Sequence, residues 1–102
     1  MKAIKRQRLE RAGWNVGSTN DFLELSPEEV ALVEMKLALS ESLRVWRTRK
    51  GLTQGALARQ LGSSQSRVAK MEAADPTVSF DLLVRSLLHL GASRKAIAKA
   101  IG

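Results

Sequence analysis

The stretch LTQGALARQLGSSQSRVAKME, residues 52–72, predicts two short helices joined by a tight turn. Thr53 and Ser64 are good N-caps, because a side-chain hydroxyl can accept a hydrogen bond from a free backbone N–H of the first helical turn. Gly62 separates the two runs and can adopt the positive φ that ends a helix. The two helices would end before Gly62 and at about Glu72. The apolar side chains predicted to face inward are Leu57, Ala58, Leu61, Val68 and Met71.

The second helix of this pair carries long polar side chains away from its apolar side. Two short helices joined by a turn containing glycine are the sequence form of a helix-turn-helix, in which the second helix lies in the DNA major groove. Arginine can pair with guanine and glutamine with adenine, each contributing about 1–3 kcal/mol of discrimination between bases. The alternative is an ordinary solvated helix face. The polar residues in question are Gln65, Ser66, Arg67 and Lys70.

This stretch resembles the Cro/repressor-type helix-turn-helix family of transcriptional regulators, often called the XRE family. The similarity extends outward to residues 44–51 and to the leucine-rich segment before Gly91, so it covers about half of the chain. Two positions depart from the family pattern: Ser63 replaces a common aliphatic residue, and Gly55 replaces a frequent Glu. The motif residues are Leu52-Thr53-Gln54, Leu57-Ala58, Leu61-Gly62, Ser64-Gln65-Ser66 and Met71-Glu72.

The resemblance implies a compact, all-α bundle of five or six helices of the lambda-repressor-like DNA-binding type. It also implies that Gln65, Ser66, Arg67 and Lys70 lie where such proteins read bases or hold the groove wall. The basic side chains at residues 44–50 are expected either to contact phosphates or to be present because the C-terminal end of a helix favours cations. The residues expected at phosphates are Thr53, Gln54, Ser64, Arg44, Arg49 and Lys50.

The segments on either side of this motif also read as helices. A capping signal at Ser26-Pro27, with Glu28 and Glu29 in the first turn, predicts one long helix that reaches Lys50, or two helices joined without a strong breaker. Two further helices are predicted, capped by Ser79 and Ser93. The long helix would bury Leu32, Met35, Leu39, Leu43 and Trp46, with Val33 and Leu37 widening the apolar stripe. Residues 26–102 are therefore expected to form the helical DNA-binding domain, and residues 1–25 an N-terminal basic arm and extension.

Charge is distributed unevenly along the 102 residues, whose net charge is +7. Residues 44–102 hold eleven basic and three acidic side chains, whereas residues 12–43 hold one basic and six acidic ones. A basic half suits a polyanion such as double-stranded DNA. The basic arm at residues 1–11 could enter a minor groove or stay disordered.

Trp14, which follows this arm, could cover the core or join a dimer contact.

Several classes of function are disfavoured by the composition. The chain has no cysteine and one histidine, His89, so a metal site is not expected. No phosphate-binding glycine loop or nucleophile–base arrangement is present, so no enzyme activity and no cofactor are predicted. No apolar run approaches the roughly 20 residues of a membrane span, and the cytoplasm is the expected location.

The leading prediction is a homodimeric, sequence-specific transcriptional regulator, most simply a repressor. Two copies would place residues 64–72 of each in successive major grooves, about 34 Å apart. The alternative is an antitoxin-type module that binds a toxin or other protein partner through residues 1–40 and represses its own operon.

Overall fold

Five helices and no strand make up the part of the chain that the computed structural model describes, residues 25–102. The predicted all-α architecture is therefore confirmed for these residues. The predicted basic arm at 1–11, Trp14 and the rest of the extension lie outside the described residues, apart from Leu25. The helices are α1 (Pro27–Arg49), α2 (Gln54–Leu61), α3 (Gln65–Glu72), α4 (Phe80–His89) and α5 (Arg94–Ile101).

Each helix begins at a hydroxyl cap that the sequence predicts. In every case the side-chain oxygen accepts a hydrogen bond of 3.0–3.1 Å from the backbone N–H three residues later. Such a cap stabilises a helix by about 1 kcal/mol, because it satisfies an N–H group that has no partner within the helix. The five caps are Ser26, Thr53, Ser64, Ser79 and Ser93.

The turn between α2 and α3 depends on Gly62, which ends α2 in the left-handed conformation (φ 66°, ψ 36°). This conformation turns the chain back so that the Ser63 N–H donates to the carbonyl of Ala58 at 2.8 Å. Because a side chain at positive φ is strained, the turn is suited to glycine.

The core lies between α1 and the four shorter helices. α1 packs against α3, α4 and α5, and α2 packs against α3. The innermost side chains come from all five helices, so none of the short helices buries its apolar side alone. They are Leu39, Leu43, Leu57, Val68, Met71, Leu83, Leu87 and Ile97.

The predicted apolar stripe of α1 is wrong at its N-terminal end. Leu32 is 48% exposed, whereas Val33 and Leu37, predicted only to widen the stripe, are 6% and 4% exposed. At 23 residues, α1 is about 34 Å long, roughly twice the length of α4, against which it packs. Length does not explain the exposure of Leu32, because its neighbour Val33 is buried: at this end of α1 the buried face is the one that carries Val33 and Leu37.

Replacing Gly62 by alanine should lower the free energy of unfolding by about 1 kcal/mol, measured by urea denaturation. No atom lies within 4 Å of a β-carbon at this position, so the loss would come from backbone strain alone. Gly55→Ala is the matched control: Gly55 lies inside α2 without a positive φ, and alanine there should leave stability unchanged or raise it. Equal losses in both variants would contradict this explanation.

Candidate nucleic-acid interface

α2 and α3 form a helix-turn-helix unit whose polar side faces solvent. Val68 and Met71 are fully buried, and they anchor α3 against Leu57 and the rest of the core. As predicted, the four polar residues of α3 are on the exposed side of the helix. They are Gln65, Ser66, Arg67 and Lys70.

A shallow depression of about 260 Å³ runs between α3 and the segment that leads into α4. On the α3 side it is lined by Ser64, Ser66, Arg67 and Lys70. The structure thus brings together three of the four residues that were expected to read bases, with the cap Ser64. Gln65 is exposed beside the depression but does not line it.

Thr77 lines the opposite wall of this depression and was not among the residues predicted to contact DNA. The Asp75 carboxylate accepts hydrogen bonds from the Thr77 backbone N–H (2.9 Å) and hydroxyl (2.5 Å). The N–H of Asp75 in turn donates to the carbonyl of Lys70 at 3.0 Å, which ties the loop to the end of α3. The signal in the sequence was the Asp-Pro-Thr run, a turn-forming pattern in which Asp accepts from the residue two positions later.

The hydrogen bonds from Thr77 lower the pKa of Asp75, and the nearby charges of Lys70 and Lys36 act in the same direction. A carboxyl whose pKa is lower in the folded state stabilises the fold at pH values above its unfolded-state pKa, which is near 3.8. This stabilisation is lost as the pH falls through the lower pKa of the folded state.

Asp75→Asn should therefore reduce the steepness with which stability falls below about pH 4, measured by unfolding at a series of pH values. Asp81→Asn is the matched control, since Asp81 forms only an exposed ion pair with Arg85. An acid dependence of the Asp75 variant equal to that of the wild type would contradict the stabilising role of the bonds between the Asp75 carboxylate and Thr77.

The residues predicted to contact phosphate fall into two groups. Thr53 and Ser64 are exposed at the first turns of α2 and α3, where free N–H groups and the positive helix end attract anions. Gln54 is half-buried, and its side-chain nitrogen donates to Glu72 at 3.3 Å. These three residues belong to the helix-turn-helix unit itself.

The second group lies in the last turns of α1. Arg44 is exposed and pairs with Glu41 at 2.8 Å, and Arg49 is exposed. The ammonium of Lys50 lies close to Gly91, just beyond the end of α4, rather than beside the depression along α3. Lys50 is thus separated from the residues that line α3.

Arg47 has a structural role that the sequence analysis did not assign to it. Its guanidinium donates to both carboxylate oxygens of Glu72, at 2.5 and 3.0 Å, and to the carbonyl of Leu52 at 2.8 Å. Only 13% of the Arg47 side chain and 5% of the Glu72 side chain are exposed. The hydrogen bond to Glu72 is the main cause of a raised pKa at Arg47. This pair joins the end of α1, the start of α2 and the end of α3.

Glu72→Ala should lower the free energy of unfolding by about 3 kcal/mol, because it leaves the Arg47 guanidinium largely buried without its carboxylate. The matched control is Glu41→Ala, which breaks the exposed pair with Arg44 and should cost less than about 1 kcal/mol. Thermal or urea unfolding measures both. Losses of similar size would show that burial does not distinguish the two pairs.

Comparison with known proteins supports the same unit. The sequence matches the family model of a helix-turn-helix domain over residues 38–100, from the middle of α1 through most of α5. The chain belongs to the helix-turn-helix domain family. No curated protein and no solved structure matches the chain.

Membership of this family confirms the predicted DNA-binding regulator fold in its general form. The narrower assignment to the Cro/repressor-type branch stays a prediction. Within residues 25–102, no helix has the length and apolar character that a membrane span requires.

Proposed function

We propose that this helix-turn-helix protein is a sequence-specific transcriptional regulator of the Cro/repressor type, which represses transcription as a homodimer bound to its operator. The observation that carries the proposal is the exposed polar side of α3, where Arg67 and Lys70 line a depression together with Ser66. An Arg, a Lys and a Gln on one short helix are the side chains that hydrogen-bond base edges in a major groove.

In this proposal α3 enters the major groove and its first turn approaches the bases. Gln65, Ser66, Arg67 and Lys70 contact bases or the groove wall. Arg67 is suited to guanine, whose two acceptor atoms match the paired donors of a guanidinium. The fully buried Val68 and Met71 support this role, because they hold the inner side of α3 against the core.

Phosphate contacts come from the helix starts and from α1. Thr53, Gln54 and Ser64 lie where backbone N–H groups converge on an anion. Arg44 and Arg49 are exposed, and the ion pair of Arg44 with Glu41 is a surface pair that contributes less than about 1 kcal/mol. Arg44 can therefore exchange its carboxylate partner for a phosphate at little cost. Lys50 is the outermost of the proposed contacts.

A homodimer follows from the geometry of B-DNA. One eight-residue helix covers only a few base pairs, so a second copy of α3 about 34 Å away doubles the sequence that is read. Residues 26–102 are proposed as the domain that performs this function, and residues 1–25 as an appended arm and extension.

Selection from a random duplex pool at about 150 mM salt tests the proposal directly, since this salt concentration suppresses weak non-specific binding. The expected result is a palindromic sequence whose half-sites are centred one helical turn apart. Enrichment of no sequence would overturn the proposed function.

Arg67→Ala should reduce the preference for the selected sequence over random DNA by about 1–3 kcal/mol, or roughly 5- to 150-fold, because the guanine contact is lost. Arg44→Ala should weaken binding to both DNAs by the same factor. It should also reduce the slope of the logarithm of the binding constant against the logarithm of the salt concentration by about one, as expected for the loss of one phosphate contact. Electrophoretic or fluorescence titrations at several salt concentrations measure both effects. Arg94→Ala on α5 is the control, because this exposed arginine is outside the proposed contacts. A uniform effect of Arg67→Ala on all sequences would exclude its role in reading bases.

A further inference from the structure

A second concave surface of the molecule is a groove between α2 and α4, whose lining residues, apart from Arg67 and Lys50, do not belong to the proposed DNA contacts. It consists of two depressions, of about 490 and 270 Å³, which share Gln60 and His89 in their walls. These two side chains are hydrogen-bonded to each other at 3.0 Å and therefore bridge α2 and α4 in the middle of the groove. The larger depression has apolar contributions from Leu61, Met71 and Leu82.

The rim of this groove is positively charged. Arg67 and Arg85 lie at the end near α3, and Lys50 lies at the other end. Among residues 25–102, no acidic side chain lines either depression. Arg85 pairs at 3.0 Å with Asp81, but both side chains are more than 70% exposed, so this pair is weak and readily replaced.

Ser63 adds a polar group to the same wall. It lines the larger depression, and its hydroxyl oxygen is buried without a hydrogen-bond partner in the described part of the chain. A buried hydroxyl without a partner is unfavourable. The groove therefore combines apolar floor residues with a positively charged rim, and it is suited to an acidic segment that also presents an apolar side chain.

The first turns of α1 have this chemistry. Glu28 and Glu29 are exposed in the first turn, and Leu32 follows on the same helix face as Glu28, four residues later. Leu32 is 48% exposed, and Leu88 is the only other large apolar side chain in the described residues that is exposed to a similar extent. The acidic turn and Leu32 together complement the basic rim and the apolar floor of the groove.

We infer that the groove between α2 and α4 binds the first turns of α1 from a second copy of this chain. Glu28 and Glu29 approach the rim at Arg85, and Leu32 covers the apolar floor. The exchange is reciprocal in a twofold dimer, so each contact occurs twice. This inference rests on the homodimer of the proposed function and names its interface, but it does not depend on which DNA sequence is read.

Sedimentation velocity of the full chain over a range of micromolar concentrations tests the interface. The wild type is expected to dimerise, and Arg85→Glu and Leu32→Asp are each expected to raise the dimer dissociation constant at least tenfold. Both substitutions are at exposed positions, and circular dichroism verifies that each variant is folded. Arg94→Glu on α5 makes the same charge change outside the groove and should leave the dissociation constant within about twofold of the wild type.

A charge exchange provides the decisive comparison. Glu28→Lys/Glu29→Lys should also raise the dimer dissociation constant. When Arg85→Glu is added to this double variant, the logarithm of the dissociation constant should return at least halfway to the wild-type value. A monomeric wild type, or a dimer that responds equally to Arg85→Glu and Arg94→Glu, would overturn the inference. So would a charge exchange that shows no recovery.

The same variants separate this inference from DNA recognition. If the dimer behaves as expected but duplex selection enriches no sequence, the interface stands and the proposed function fails. If selection yields a palindrome while Arg85→Glu and Leu32→Asp leave the dimer intact, the function stands and the dimer uses another surface.

Discussion

The ion pair between Arg47 and Glu72 is the contact on which the arrangement of the first three helices depends. It joins the last turn of α1 to the last residue of α3, and through the carbonyl of Leu52 and the side chain of Gln54 it also fixes the start of α2. Because both charged groups are largely withdrawn from water, removing either one leaves the other buried without an opposite charge. The angle at which α3 meets the rest of the protein is therefore set by polar contacts at its end and by Val68 and Met71 along its length.

A buried ion pair of this kind contributes to specificity of structure more reliably than to stability. Desolvation of the two groups opposes their attraction, so an apolar pair of similar size could stabilise the fold as well. An apolar pair has little directional preference, whereas the guanidinium and carboxylate meet in one geometry. For a protein whose α3 presents polar side chains to a partner, we interpret the pair as a device that fixes the orientation of that helix. Asp75 makes a separate set of contacts at the end of α3: its backbone N–H donates to the carbonyl of Lys70, and its carboxylate accepts from Thr77.

Features that depend on residues close together in the chain were predicted correctly, and features that depend on distant residues were missed. The five helix starts were predicted correctly because each cap acts on an N–H only three residues away. The exposure of Gln65, Ser66, Arg67 and Lys70 was also predictable, since their positions relative to Val68 and Met71 follow from helical periodicity. Arg47 was grouped with Arg44, Arg49 and Lys50 as one of four bases at a helix end, because its partner Glu72 is 25 residues away. Thr77 was missed because its place beside α3 depends on a loop conformation.

By itself, the sequence determined where the five described helices start, the turn at Gly62 and the polar character of α3. Each of these depends on neighbours within one or two turns of the chain. Only the tertiary structure decided that Leu32 is exposed while Val33 and Leu37 are buried, that Arg47 holds helices together, and that Lys50 lies at the far end of α4 from the depression along α3. These outcomes depend on which face of α1 the rest of the protein covers and on which distant side chains come close to it. Hydrophobic periodicity along one helix contains neither piece of information, because it records which side of a helix is apolar but not what covers it.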